Sequence, residues 1–132
     1  MADEGITPQA RALIADHIES VMQLELLLLL SDRRDRVWTA DDVAHEMRID
    51  PVWTAAQLQG LAGRGLVEAM SGSPTQFRYA PRAPELDQAV ADLAKAYADR
   101  RVTVIGLIFS KPVDKIRSFA DAFRLRKDPS DG

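Results

Sequence analysis

Side chains that commonly perform catalysis or hold metals are sparse in this 132-residue sequence. It contains no cysteine, and its two histidines, His17 and His45, have no third partner at a metal-ligand spacing. The adjacent carboxylates Asp41 and Asp42 stand at a predicted helix start, where negative charge favours the helix dipole, so they do not indicate acid–base catalysis. The glycines within residues 60–65 follow no strand and lack the spacing of a phosphate-binding loop. We therefore expect no enzyme activity, no metal site and no cofactor.

Charge is distributed unevenly along the chain. The sequence carries 17 basic and 20 acidic residues, a net charge of −3, yet residues 99–127 hold eight basic residues and three acidic ones. Such asymmetry indicates an acidic partner for the basic end, or self-association of opposite ends. The longest apolar run, Leu24–Leu30, contains Glu25 and is far shorter than the roughly 20 residues of a membrane-spanning helix. Because the N-terminus is also acidic, unlike a signal peptide, we expect a soluble, cytoplasmic protein.

The first third of the chain predicts one helix from about Pro8 to Leu30. Thr7 is a good N-cap, Pro8 suits a first helical turn, and apolar residues follow at intervals of three to four. Five consecutive leucines, residues 26–30, cover every face of this helix. They must be buried on most sides, by the rest of the domain or by a second subunit.

A short strand and a short helix are predicted next. Val37-Trp38 can form a very short strand, and Thr39 with Asp42 matches a capping box that starts a helix. That helix is predicted to end near Arg48.

A second short helix and a β-hairpin complete the middle of the chain. Asp50-Pro51 predicts a capped helix start, and the helix runs to about Ala62 before the stop signal Gly63-Arg64-Gly65. Residues 66–70 and 76–80 predict two strands, joined by five residues of turn chemistry.

The last third is predicted to be helical. The apolar pattern from Glu85 to about Phe109 predicts one long helix, with a break near Arg101 as the alternative because β-branched residues and a glycine follow that position. A further helix is predicted over Lys111–Lys127.

The order of helix, helix, tight turn, helix and β-hairpin resembles the winged helix-turn-helix domains of bacterial MarR-like transcriptional regulators. The residues that carry the resemblance are Trp38–Ala44, Asp50-Pro51 and Leu58–Val67. Within the last stretch, Leu61-Ala62-Gly63-Arg64-Gly65-Leu66-Val67 matches the L-x-x-R-G-L-V pattern that precedes the wing in this family.

This resemblance implies a mainly α fold with a small β-hairpin wing. It predicts a winged helix-turn-helix domain over residues 8–82, followed by a helical dimerisation or interaction region over residues 84–127.

The resemblance also implies that the helix Pro51–Ala62 enters the major groove of double-stranded DNA. Gln57 and Gln59 suit adenine, and Thr54 suits a base or a phosphate. The helix has no lysine or arginine before Arg64, although phosphate contacts supply most non-specific affinity. The predicted DNA-binding residues are Trp53, Thr54, Gln57, Gln59, Arg64, Arg78 and Arg82.

Each assignment has a structural alternative. Trp53 is equally typical of core packing, and Arg64 of a residue that caps a helix end. Gln57 and Gln59 are also typical of solvated helix positions.

The resemblance implies that the helices flanking the winged domain build a two-fold dimer. The apolar seam of the last third fits this expectation, and two-fold dimers are the commonest oligomers. The predicted dimerisation residues are Leu86, Val90, Leu93, Tyr97, Val104 and Ile108. The alternative is a helix that folds back on its own domain. We favour the dimer because one small domain has little surface to cover so many apolar positions.

The basic segment Lys111–Lys127 predicts a docking surface for a partner. Its predicted docking residues are Arg117, Phe119, Phe123, Arg124 and Arg126. The alternatives are contact with DNA phosphates, contact with an anionic membrane, or a closing helix whose phenylalanines pack on the core.

Two functions are therefore consistent with the sequence. The first is a DNA-binding transcriptional regulator that acts as a homodimer. The second is a winged-helix protein–protein interaction module that does not bind DNA and uses the basic C-terminal helix to dock a partner.

Overall fold

Six helices and three short strands make up residues 6–110, the part of the chain that this computed structural model describes. The elements are α1 (Pro8–His17), α2 (Val21–Asp32), β1 (Trp38–Thr39), α3 (Ala40–Met47), α4 (Pro51–Gly63), β2 (Val67–Met70), β3 (Gln76–Tyr79), α5 (Pro84–Asp99) and α6 (Arg101–Phe109). None of the helices within these residues is long and apolar enough to cross a membrane.

The three strands form one antiparallel sheet in the order β1-β3-β2. Trp38 of β1 lies opposite Phe77 of β3, and Val67 of β2 lies opposite Tyr79. The hairpin of β2 and β3 is the predicted wing, and β1 attaches it to the start of α3. The mainly α fold with a small β-hairpin wing is confirmed.

The prediction of a single helix from Pro8 to Leu30 is wrong, because the chain turns between α1 and α2. The Ser20 hydroxyl accepts a hydrogen bond from the backbone N–H of Gln23 (3.0 Å) and so starts a new helix. The Gln23 side chain in turn accepts from the backbone N–H of Glu19 (2.7 Å). These bonds satisfy donors that a continuous helix would have used internally, so the break costs few backbone hydrogen bonds.

The leucine run on α2 is buried by the rest of the same chain. Leu26, Leu27 and Leu30 are fully buried, while Leu28 and Leu29 are half-buried and pack against the core. The predicted burial on most sides is therefore confirmed without a second subunit.

The predicted cap of α3 is present as a reciprocal pair of hydrogen bonds. The backbone N–H of Asp42 donates to the Thr39 hydroxyl, and the backbone N–H of Thr39 donates to the Asp42 carboxylate, both at 3.0 Å. The bond from Thr39 lowers the pKa of Asp42 below its ordinary value. Arg48, the C-terminal cap residue that follows α3, adopts a left-handed conformation with φ of 61°.

Replacing Thr39 with alanine is expected to lower the free energy of unfolding by about 1 kcal/mol, because the first turn of α3 loses its side-chain acceptor. Urea unfolding followed by circular dichroism measures this change. Thr39→Ser keeps the hydroxyl and serves as the control. An equal loss in both variants would show that the Thr39 methyl group, and not the cap, is responsible.

The last third contains a break, as the alternative prediction stated. The backbone of Arg100 leaves the helical region with φ of −136° and ψ of 56°, which ends α5 and starts α6. The Tyr97 hydroxyl donates to the Glu25 carboxylate (2.6 Å), and Arg101 donates to the same oxygen (3.2 Å). Both ends of the break are thereby attached to α2.

The predicted dimer seam is wrong for four of its six residues. Val90, Leu93, Val104 and Ile108 are buried inside the single chain, because α5 packs along α1 and α6 turns back towards it. The other two residues, Leu86 and Tyr97, are half-buried and pack against the same core. The alternative of a helix that folds back on its own domain therefore describes these positions. One core includes residues from both sides of residue 83, and the division into regions 8–82 and 84–127 stays a prediction.

Candidate nucleic-acid interface

Helix α4 follows α3 after a three-residue turn and presents one open face. Asp50 accepts a hydrogen bond from the backbone N–H of Trp53 (2.7 Å), and Pro51 occupies the first turn, as predicted. Thr54, Leu58 and Leu61 point into the core. The opposite face carries the exposed residues Val52, Ala56, Gln59, Gly60 and Gly63. Their spacing of three to four places them along one side of the helix.

The prediction that Thr54 contacts DNA requires an exposed side chain, and this requirement is not met. The Thr54 side chain is fully buried, and its hydroxyl donates to the backbone carbonyl of Asp50 at 2.7 Å. Trp53 is half-buried and packs against the core. Both residues lie on the side of α4 that packs against the rest of the chain. Helical periodicity brings a residue to that side at every third or fourth position.

The two glutamines that suit adenine lie on different sides of α4. The Gln57 carbonyl oxygen accepts a hydrogen bond from the side-chain amide of the buried Gln23, at 3.0 Å. Gln59 is exposed, and its side chain makes no hydrogen bond with another described residue. Only Gln59 therefore offers a complete side-chain amide to a ligand on the open face of α4.

Arg64 attaches the C-terminal end of α4 to the turn between α1 and α2. Its guanidinium donates to the backbone carbonyl of Asp16 (2.8 Å) and to the Glu19 carboxylate (3.2 Å). Together with the bond between Gln23 and Gln57, these contacts position α4 against the α1–α2 turn. Arg64 is also the C-terminal cap residue of α4, so the predicted alternative of a residue that caps a helix end is confirmed. Its contacts with Asp16 and Glu19 were not predicted, because they require the turn after α1.

The two wing arginines differ in whether their guanidinium groups are paired with a carboxylate. Arg78 of β3 lies directly opposite Glu68 of β2, and their side chains form an ion pair at 2.7 Å. Arg82 is exposed and forms no ion pair with any residue in 6–110, and its guanidinium lies over Gly65. A Cβ at Gly65 would collide with that guanidinium, and its φ of +78° also favours glycine.

Arg48 is a further exposed cation that the sequence analysis did not single out. It lies in the turn between α3 and α4 and forms no ion pair with a described residue. Its position two residues before Asp50, the N-cap of α4, could have indicated from the sequence that it lies beside the start of this helix.

The charge of the helix-turn-helix and wing is close to neutral. Residues 40–82 contain five carboxylates and four arginines, and two of the arginines, Arg64 and Arg78, are paired within the chain. The open face of α4 has no charged side chain. Phosphate attraction from this surface is therefore weak, and any selectivity must come from polar and apolar contacts.

Strand β3 is attached to α5 and to the turn after α2 by a second polar cluster. The Tyr79 hydroxyl donates to Asp87 (2.9 Å), and Arg34 donates to the other oxygen of the same carboxylate (3.0 Å). These two hydrogen bonds lower the pKa of Asp87, while burial raises the pKa of the Tyr79 hydroxyl. The cluster holds the base of the wing at a defined position relative to α5.

The predicted docking residues lie outside the described residues. This applies to Arg117, Phe119, Phe123, Arg124 and Arg126, and to the whole of the segment Lys111–Lys127.

The helix pair α3–α4, followed by the two-stranded wing, defines a winged helix-turn-helix fold. The chain resembles a mutant of ZitR from Lactococcus lactis, with a TM-score of 0.52 and 15% identity over 85% of this chain and 77% of that one. It is also similar to the MarR family transcriptional regulator SPO1453 from Silicibacter pomeroyi DSS-3, with a TM-score of 0.48 and 18% identity over 86% of each chain. No protein-family model matches the sequence, and no curated protein matches it. The likeness to ZitR concerns the fold, and the predicted winged-helix architecture is confirmed.

Proposed function

We propose that this chain is a transcriptional regulator that binds double-stranded DNA with the open face of α4 and with the wing. The observation that carries the proposal is the uninterrupted exposed face of α4, which no other element within residues 6–110 covers. An α-helix of this kind fits the major groove of B-form DNA. Arg82 on the wing and Arg48 before α4 are exposed cations that can contact phosphates on either side.

Titration of the purified full chain with its own upstream DNA and with a scrambled duplex tests this function. Two phosphate contacts per chain predict a shallow salt dependence, with a slope of about −2 per chain in a plot of log affinity against log salt. Preference for the upstream duplex supports a regulator. Equal and weak binding of both duplexes, or no binding at low salt, contradicts it.

A protein–protein interaction module is the second candidate. The observation in its favour is the neutral open face of α4, together with the pairing of Arg64 and Arg78 inside the chain. The basic segment Lys111–Lys127 would then dock the partner, as the sequence analysis proposed. A partner captured by the full chain and lost on deletion of residues 111–132, without any duplex binding, would favour this candidate.

We also propose that the regulator acts as a homodimer. The residues first predicted for the seam are used inside the monomer, so a dimer needs other apolar surface. Val102 on α6 is 84% exposed and supplies such surface. Sedimentation equilibrium of the full chain, compared with Val102→Asp, tests the proposal, and a wild-type monomer at micromolar concentration would contradict it.

Removing the carboxylate of Glu68 is expected to strengthen duplex binding. Glu68→Gln frees the Arg78 guanidinium from its 2.7 Å ion pair and removes one negative charge from the wing. One additional phosphate contact should raise affinity by about 3-fold to 10-fold and steepen the salt slope by about 1. Fluorescence anisotropy at two salt concentrations measures both quantities.

The matched control is Asp99→Asn on α5. It breaks an exposed ion pair with Lys95 (3.0 Å) and changes the net charge by the same amount. An equal gain in both variants would indicate a net-charge effect, and no gain in Glu68→Gln would exclude Arg78 from the interface.

A further inference from the structure

Gly60 lies inside α4 at a position where the fold itself does not require glycine. Its backbone does not adopt a positive φ, and a Cβ built on it would meet nothing within 4 Å. Glycine destabilises a helix interior relative to alanine because it loses more backbone entropy on folding. The missing side chain is therefore unexplained by contacts within the described residues, and it leaves the helix backbone open to close approach from outside.

The residues around Gly60 on the same face are a single amide and two small apolar groups. Gln59 is exposed, and its amide makes no hydrogen bond with another described residue. Ala56 lies one turn before Gly60, and Val52, which is 78% exposed, lies one turn before Ala56. This combination lacks a charge and offers one bidentate hydrogen-bonding group beside methyl groups.

We infer that α4 reads A·T base pairs in the major groove, with Gln59 as the specificity-determining residue and Gly60 as the point of close approach. A glutamine amide can donate to N7 and accept from the N6 amino group of adenine in one planar arrangement. Val52 and Ala56 provide methyl groups that match the C5-methyl group of thymine. The inference rests on the proposed DNA-binding function and specifies which base pairs that function recognises.

Gly60 contributes by allowing a shorter distance between the helix and the base edges. With no Cβ at this position, the axis of α4 can lie deeper in the groove, and the neighbouring Gln59 then reaches both atoms of adenine. A methyl group at residue 60 would hold the helix away from the groove floor. The same methyl group would favour the free helix, so its effects on folding and on binding have opposite signs.

Selection from a random duplex library with the full-length protein tests the specificity. We expect enrichment of duplexes that share an A·T pair at one position, and Gln59→Ala should bind the enriched duplex about 10-fold more weakly while losing the preference at that pair. Gln88→Ala on α5 is the control, because Gln88 is an exposed glutamine bonded only to Asp92 among the described residues. Enrichment of G·C pairs, or an unchanged preference in Gln59→Ala, overturns the inference.

A pair of glycine variants tests the close approach. Gly60→Ala and Gly106→Ala each place a methyl group in open space on a helix, so both should raise Tm by about 3 °C. Only Gly60→Ala should weaken binding of the enriched duplex, by about 10-fold. Unchanged binding in Gly60→Ala overturns the close approach.

The same measurements distinguish a failure of the proposed function from a failure of the inference about A·T pairs. If the wild-type chain binds no duplex at low salt, the proposed function and the inference both fail. If it binds duplexes without preferring A·T pairs, the proposed function stands and the inference fails.

Discussion

An aspartate in place of Ala56 is expected to reduce affinity for duplex DNA by about 100-fold while leaving the fold intact. Ala56 is exposed near the middle of the open face of α4, so a larger side chain meets no neighbour in the core. On DNA, the new carboxylate would lose water and face the negative charge of the groove without a partner. Such an unpaired charge costs about 3 kcal/mol at an interface, which corresponds to the stated loss.

The control for this variant is Ala91→Asp, which adds the same charge to an exposed position of α5. Fluorescence anisotropy with the preferred duplex gives the affinities, and circular dichroism shows that both variants fold. Retention of wild-type affinity by Ala56→Asp would exclude the open face of α4 from the interface. An equal loss in both variants would assign the effect to net charge.

Replacing Trp38 with alanine is expected to lower the free energy of unfolding by about 3 to 5 kcal/mol. Trp38 is fully buried where β1 meets β3, opposite Phe77, and the Arg36 guanidinium stacks on its ring at 3.7 Å from the centroid. Its removal leaves a large cavity between the sheet and the helices. The free energy of unfolding of small proteins is only about 5 to 15 kcal/mol, so this loss would unfold a substantial fraction of the molecules on moderate heating.

Urea unfolding followed by circular dichroism measures this loss, because the signal does not depend on the tryptophan that is removed. Trp38→Phe is the control. It retains an aromatic ring, and the indole N–H of Trp38 has no hydrogen-bond partner among the described residues, so the variant should lose only about 1 to 2 kcal/mol. A loss below 1 kcal/mol in Trp38→Ala would show that the sheet can close over the missing ring.

Local sequence patterns were sufficient to predict the helix caps and turns of the helix-turn-helix and the wing. The Thr39 hydroxyl accepts a hydrogen bond from the backbone N–H of Asp42, and the Asp50 carboxylate accepts one from the backbone N–H of Trp53, in each case three residues further along the chain. Such contacts form within one turn of chain and need no distant partner. The stop at Gly63–Gly65 and the hairpin that follows depend on equally local backbone preferences.

The break after His17 was missed because apolar periodicity continues through it. Helical spacing from Leu13 to Met22 does not reveal that Ser20 starts a new helix, since the hydroxyl acts as a cap only when the preceding residues leave the helix. The side chain of Gln23 and the distant Arg64 both contact this turn. Its energy therefore depends on residues separated by tens of positions in the chain.

In the candidate site, too, some features follow from local sequence and others depend on distant contacts. The sequence alone determined that α4 is a capped helix with few charges and with residues that suit base contacts. Only the tertiary structure decided that Thr54 is buried, that Gln57 is held by Gln23, and that Gln59 remains open. It also decided that the seam from Val90 to Ile108 is covered by α1 and α2 within the monomer. The physical reason is that periodicity specifies which residues share a helix face, whereas the partner of that face depends on how the helices fold back on one another.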